Sequence, residues 1–266
     1  MNAVSETLFH FIDRVHRNEP AHQLEVFKSI MENGLKFSDV VVNHLEAKFS
    51  NKGICFTDIP LSLSDEHTES YGKFGIGFSR EFVKNKGGNP VFYFVNWNDI
   101  RSATNPDSLR GILSDNLKTV AKFCLAISNL EKEHGSIILR DKNGKDIEYK
   151  DDLLANHMRQ LFSMFKEIGD LGPASDYTRR KDVYYLEREW RIISYALHGD
   201  NTISTKIGND IFLKIKQSDI RIITVPNEDT RKAVLNYFEE RKQSNPSDVD
   251  KQYVPSVIIY DELKMI

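Results

Sequence analysis

The chain has 266 residues, with 36 lysines and arginines against 39 aspartates and glutamates; the formal net charge of −3 excludes a globally basic nucleic-acid binder. At 40% hydrophobic and 28% charged residues, with 14 glycines and 8 prolines, the composition is that of a globular protein rather than a disordered or fibrous one. The longest apolar run, residues 91–95, falls far short of the roughly 20 residues that span a bilayer, and residues 1–7 carry no secretory signal, so a cytoplasmic protein with no membrane association is expected. Cys55 and Cys124 sit among apolar neighbours and are expected as reduced core thiols. No Cys/His spacing matches a zinc site; His16 and His22, like the other histidines, show no paired spacing, and no metal is expected.

Residues 8–12 predict a first strand carrying His10, and Leu24, Phe27, Ile30 and Met31 at helical spacing predict a helix over 21–33 closed by Gly34. A second strand over 54–57 stops at Asp58-Ile59-Pro60, and a serine-rich acidic segment, 62–70, precedes Tyr71. Phe74, Ile76 and Phe78 alternate with glycines as a strand; Ser79 caps a short helix ending at Gly87-Gly88, and 90–95 is the next strand.

From Asn105 the pattern changes. Ile112, Leu113, Leu117, Val120, Ala121, Cys124, Leu125 and Ile127 draw one apolar face along a long helix. Leu153, Leu154, Met158, Leu161, Phe162, Phe165 and Ile168 draw another, ending at Gly169, with a polar stretch at 141–145 between the two. A helical hairpin over 105–169 is therefore expected as an insertion between an N-terminal half, 1–104, and a C-terminal half, 170–266. Strands return at 183–195, 211–215, 220–225 and 257–260, with a helix over 228–242 and a polar loop over 243–252. The sum is an α+β fold.

Several segments combine polar or aromatic groups with apolar strand neighbours: Phe9-His10-Phe11, Gly53-Ile54-Cys55-Phe56-Thr57-Asp58, Ser70-Tyr71-Gly72 and Glu187-Arg188-Glu189-Trp190-Arg191. Each has a plain explanation taken alone: a core histidine, a packing tyrosine, the solvated face of an amphipathic strand. In this order, however, they resemble the His-Tyr-Glu arrangement of ADP-ribosyltransferases, including the DNA-modifying DarT relatives. That resemblance implies a split mixed or antiparallel sheet core with a helical insertion, and NAD+ as the substrate. It implies that His10 holds the adenosine-side ribose, that Tyr71 stacks on the nicotinamide, and that Glu189 hydrogen-bonds the nicotinamide ribose as the glycosidic bond breaks. Glu187, two residues earlier on the same strand face, would meet the acceptor, with the two acids interchangeable in these roles. Cys55 stands where the family has a tyrosine, which removes one stacking wall or leaves it to Phe56, beside Thr57; Ser62 or Ser64 would bind the nicotinamide amide. The chemistry is coherent, because a carboxylate stabilises the oxocarbenium character that develops on the sugar, without a metal.

The segments 55–61, 71–78 and 87–91 also resemble the AbiGi abortive-infection family of bacterial phage-defence proteins, a likeness centred on residues 8–95 and 186–193. That family carries the label of an antitoxin. Both resemblances imply a bacterial defence setting, and they differ on whether the chain is toxin or antitoxin. The leading expectation is a toxin-like ADP-ribosyltransferase that modifies RNA, DNA or protein and is restrained by a cognate antitoxin or other defence component. The alternative is a catalytically inactive member of the fold that acts as an antitoxin or partner-binding protein. Arg179-Arg180-Lys181, among Tyr177, Tyr184 and Tyr185, is the candidate nucleic-acid grip, the plainer alternative being a solvated turn. The transferase expectation requires His10, Tyr71 and Glu189 to converge on one cleft.

Overall fold

A computed structural model describes residues 6–42, 49–61, 64–95, 112–150, 153–168, 188–194 and 203–265. In chain order the elements are β1 (Thr7–Phe11), α1 (Pro20–Asn33), β2 (Leu35–Lys36), β3 (Ser38–Val42), β4 (Phe49–Thr57), α2 (Asp65–Tyr71), β5 (Gly75–Ser79), α3 (Arg80–Asn85), β6 (Asn89–Pro90) and β7 (Phe92–Val95). There follow α4 (Ile112–His134), β8 (Ser136–Arg140), β9 (Asp146–Lys150), α5 (Leu153–Ser163), β10 (Phe165–Ile168), β11 (Glu189–Ile193), β12 (Ser204–Ile207) and β13 (Asp210–Leu213). The chain closes with β14 (Ile220–Val225), α6 (Glu228–Ser244), α7 (Val249–Gln252) and β15 (Ser256–Ile259). The α+β class is as expected.

Two compact units divide the chain: Met1–Ser38, Ile54–Pro90 and Leu186–Ile266 form the first, Asp39–Gly53 and Val91–Tyr185 the second. The principal sheet runs β15-β14-β5-β1-β4-β11-β6, with β3 on β4. It is mixed: β1 is antiparallel to both β4 and β5, and β14 is antiparallel to β5 but parallel to β15.

In the first unit, α1 starts at Pro20, whose fixed φ suits the first helical position, and stops at Gly34. Gly34 has φ +95°, and a Cβ there would stand 2.2 Å from the Leu213 carbonyl oxygen, so only glycine fits. The helix buries Phe27, Ile30 and Met31, and Phe27 packs against Phe74 at 5.6 Å and edge-on against Phe238 of α6 at 5.8 Å. Each such fully buried ring contributes about 1.5–3 kcal/mol of transfer free energy. Arg241 of α6 donates to the Met31 carbonyl at 3.0 Å, satisfying an acceptor near the end of α1. Ser79 caps α3 as expected, accepting from the Phe82 N–H at 3.0 Å.

In the second unit α4 and α5 close over Ala121, Cys124 and Phe162, with Leu117, Leu125, Met158 and Phe165 around them. The expected helical hairpin differs here. The polar stretch at 141–145 is the turn of a β-hairpin, β8 on β9. The second helix ends at Ser163, whose hydroxyl turns back to the Arg159 carbonyl, and Phe165–Ile168 is a strand parallel to β7. Segment 62–70 also holds more order than expected, since α2 begins at Asp65; in 243–252, α6 runs on to Ser244 and α7 occupies the end. Residues 183–187 and 195 of the expected late strand lie outside the described residues.

Candidate functional site

Neighbouring strands β1, β4 and β11 carry the described candidate residues except Ser64 and Tyr71, and strand alternation sorts them onto two faces. One face is the core: Leu8, Ile54, Phe56, Ile76, Phe78, Trp190 and Ile192 pack there together. His10 shares that face, its ring 5.9 Å from Phe56, while its Nδ1–H donates to the Cys55 carbonyl at 3.0 Å. A carbonyl only accepts, so the proton sits on Nδ1 and Nε2 keeps its lone pair. Burial lowers the His10 pKa, and the bond to Cys55 opposes that in part.

The opposite face carries Phe9, Phe11, Cys55, Thr57, Glu189 and Arg191. Phe9 lies directly across from Thr57 and from Gly77, and Phe11 from Gly75. Both glycines make room, since a Cβ at Gly75 would meet the Phe11 ring at 3.1 Å and one at Gly77 the Phe9 ring at 3.0 Å. The Asp58 N–H donates to the Arg188 carbonyl at 3.2 Å, joining the end of β4 to the start of β11. The Arg191 guanidinium interacts with the Cys55 side chain, so Glu189 and Thr57, each two residues away, share this face.

Glu189 is buried and accepts from Arg191 Nε at 2.6 Å. Burial works against the Arg191 charge, but the Glu189 carboxylate and the Cys55 thiol more than compensate, and the guanidinium pKa is raised. Beyond this pair, Arg80 binds Asp58 at 2.7 Å and lies over the Trp190 ring at 5.2 Å. Tyr71 stacks on His67 at 4.2 Å, one helical turn apart on α2, and Arg14 lies 4.8 Å over the same tyrosine ring. His67 in turn meets Phe11 at 4.9 Å, which places the α2 stack on the Thr57–Glu189 side.

The sheet therefore brings Thr57 and Glu189 onto one face, with the Tyr71 stack beside Phe11 there. His10 and Phe56 point to the other. Thr57 is buried. Ser64, the alternative to Ser62, is also buried, with its hydroxyl engaged by the Leu61 carbonyl and Tyr260 OH, both at 2.8 Å. Ser62, Glu187, Arg179, Arg180 and Lys181 lie outside the described residues. Cys55 departs from the expected core thiol: on the outward face of β4 it is exposed, whereas Cys124 is buried and its pKa raised by that burial.

Two features escaped the sequence reading. Asp13, His16 and His22 gather between β1 and α1, their ligand atoms all within 4.8 Å of one another. The signal is Asp-x2-His-x5-His, with the ligands divided between a loop and a helix. The second feature is on α4. Its inward face runs through Leu117, Ala121 and Cys124, so Val120, expected to be part of the buried face, points outward with Phe123 and Leu130; they are 46%, 63% and 48% exposed. With Ile127 they follow an i, i+3, i+7, i+10 spacing, a second apolar stripe.

No curated protein and no solved structure matches the chain. Among the described residues no helix is long and apolar enough to cross a membrane. A protein family described as "Putative abortive phage resistance protein AbiGi, antitoxin" matches over residues 31–226, which spans β4, α4 and β11. The chain belongs to the AbiGi family of abortive phage resistance proteins.

Proposed function

We propose that the protein is the antitoxin of an abortive-infection system and acts by binding a protein partner, not by cleaving NAD+. The observation that carries this reading is the placement of His10 and Glu189 on opposite faces of the sheet, with Glu189 held by Arg191 at 2.6 Å. A carboxylate already neutralised by a buried guanidinium is a weak acceptor for a ribose hydroxyl, and a histidine behind the sheet does not reach the same ligand. The antitoxin description of the family points the same way. The outward stripe of α4, with its coiled-coil-like spacing, supplies a surface suited to an amphipathic segment of the toxin.

The test is co-expression with the protein encoded beside it. Growth arrest by the neighbour alone, relief by this chain, and loss of relief in Phe123→Asp are expected. Relief unaffected by charges placed along the α4 stripe would count against docking there.

A second reading, an NAD+-dependent transferase acting on nucleic acid or protein, is favoured by one observation: Thr57, Glu189 and the Tyr71 stack share a face. Release of nicotinamide from NAD+ by the purified wild-type chain, freed of any partner, would favour it over the antitoxin reading.

A further inference from the structure

We infer that Asp13, His16 and His22 form a binding site for a divalent transition-metal ion of the zinc class. Asp13 follows β1, His16 lies in the connecting loop, and His22 is in the first turn of α1. The Asp13 carboxylate is oriented from both ends. Its Oδ1 accepts from the His16 backbone N–H at 3.3 Å, and its Oδ2 lies 2.9 Å from His16 Nδ1 and 3.0 Å from His22 Nε2. The two imidazoles are 4.1 Å apart between ring centres.

A carboxylate oxygen only accepts, so without a metal both imidazoles must present a proton to the same atom. A dication satisfies all three groups at once, taking a lone pair from each nitrogen and one from the oxygen. Bonds of about 2.0–2.2 Å set tetrahedral ligand atoms roughly 3.3–3.5 Å apart. Ligand atoms at 2.9 and 3.0 Å, with none beyond 4.8 Å, reach that spacing by small side-chain rotations. Imidazole donors select a transition ion over magnesium or calcium, which prefer all-oxygen shells. Three protein ligands leave one position for water or a group from outside the chain.

The surroundings hold the ligands in place. The buried Gln23, next to His22 on α1, donates its side-chain amide to the Ile12 carbonyl at 2.9 Å, tying the helix to the residue before Asp13. The Glu19 N–H donates to the His16 carbonyl at 2.8 Å and closes the loop. Asp13 adopts φ +53°, a left-handed conformation that non-glycine residues occupy at a cost and that the cluster helps to offset. The arrangement is independent of the Glu189 face and of the partner-binding reading.

The test uses the untagged full chain, stripped with a chelator and titrated with Zn2+ by calorimetry and with Co2+ by visible absorption. One ion per chain is expected, saturating at micromolar free metal, with the ligand-field bands of a low-coordinate cobalt site. In the double variant His16→Ala/His22→Ala affinity should fall by at least about 100-fold. Its metal-free thermal melt, compared with that of the stripped wild type, verifies folding; Asp13→Asn supplies a second, milder loss if the double variant does not fold. Absence of Zn2+ binding to the wild type, or binding undiminished in folded variants, would overturn the site.

Discussion

Glu189 and Arg191 illustrate how the surroundings of a candidate residue are set by its neighbours. An acid opening an apolar strand is legible in the sequence. That its carboxylate meets Arg191 two positions later is a consequence of strand alternation plus burial. Removing one member of a buried pair strands the other charge, so Glu189→Gln or Arg191→Met should each destabilise by about 3–5 kcal/mol, whereas Glu189→Leu with Arg191→Met should recover much of the loss. Urea titration of the three variants checks this; singles that fold as well as the wild type would show that the pair contributes nothing to stability.

His10 carries the second residue-scale prediction. Its pKa is lowered in the folded state, so the unfolded chain binds the extra proton first, and stability falls as pH drops below about 6.5 toward the folded value. Above that range the ring is neutral in both states and this contribution is complete. His10→Asn should flatten that part of the stability–pH profile between about pH 7.5 and 5, measured by urea unfolding. Parallel profiles for variant and wild type would assign the pH dependence elsewhere.

Among the elements, those with strong local signals were legible: β1, α1 with its apolar period and glycine stop, β5 with its glycines, and α3 with its serine cap. What stayed hidden depended on distant partners. The strand Phe165–Ile168 looks like the continuation of α5 because Phe165 and Ile168 keep the helical period; its pairing with β7, some seventy residues earlier, decides otherwise. The α2 helix has few aliphatic residues and is held by aromatic stacking, which periodicity of hydrophobic residues does not detect. On α4 apolar residues occur on two sides, and sequence alone merged them into one face. The close of α1 is sensitive to a single methyl group. Gly34→Ala places a methyl against the Leu213 carbonyl at a positive φ and should cost at least about 2 kcal/mol in urea unfolding. A neutral effect would mean that β13 moves aside without penalty.

At the scale of the whole molecule, the α+β class and the phage-defence family are legible in the sequence, and the alternative functional expectation matches the antitoxin description. The sequence names candidate residues but not their arrangement. His10 and Glu189 lie on strands separated by β4, and which way each points follows from register, which no local motif encodes. The approach of Asp13, His16 and His22 to one another is hidden from the sequence for the related reason that the three side chains meet only once the β1–α1 loop has folded back.

The proposed mode of action is binding rather than catalysis. The most direct measurement is the affinity of the purified wild-type chain and of Phe123→Asp for the protein encoded beside it, read by analytical ultracentrifugation in the absence of NAD+. A tight complex with the wild type, weakened at least about tenfold in a normally folded Phe123→Asp, is the predicted result. No complex with the wild type would contradict it.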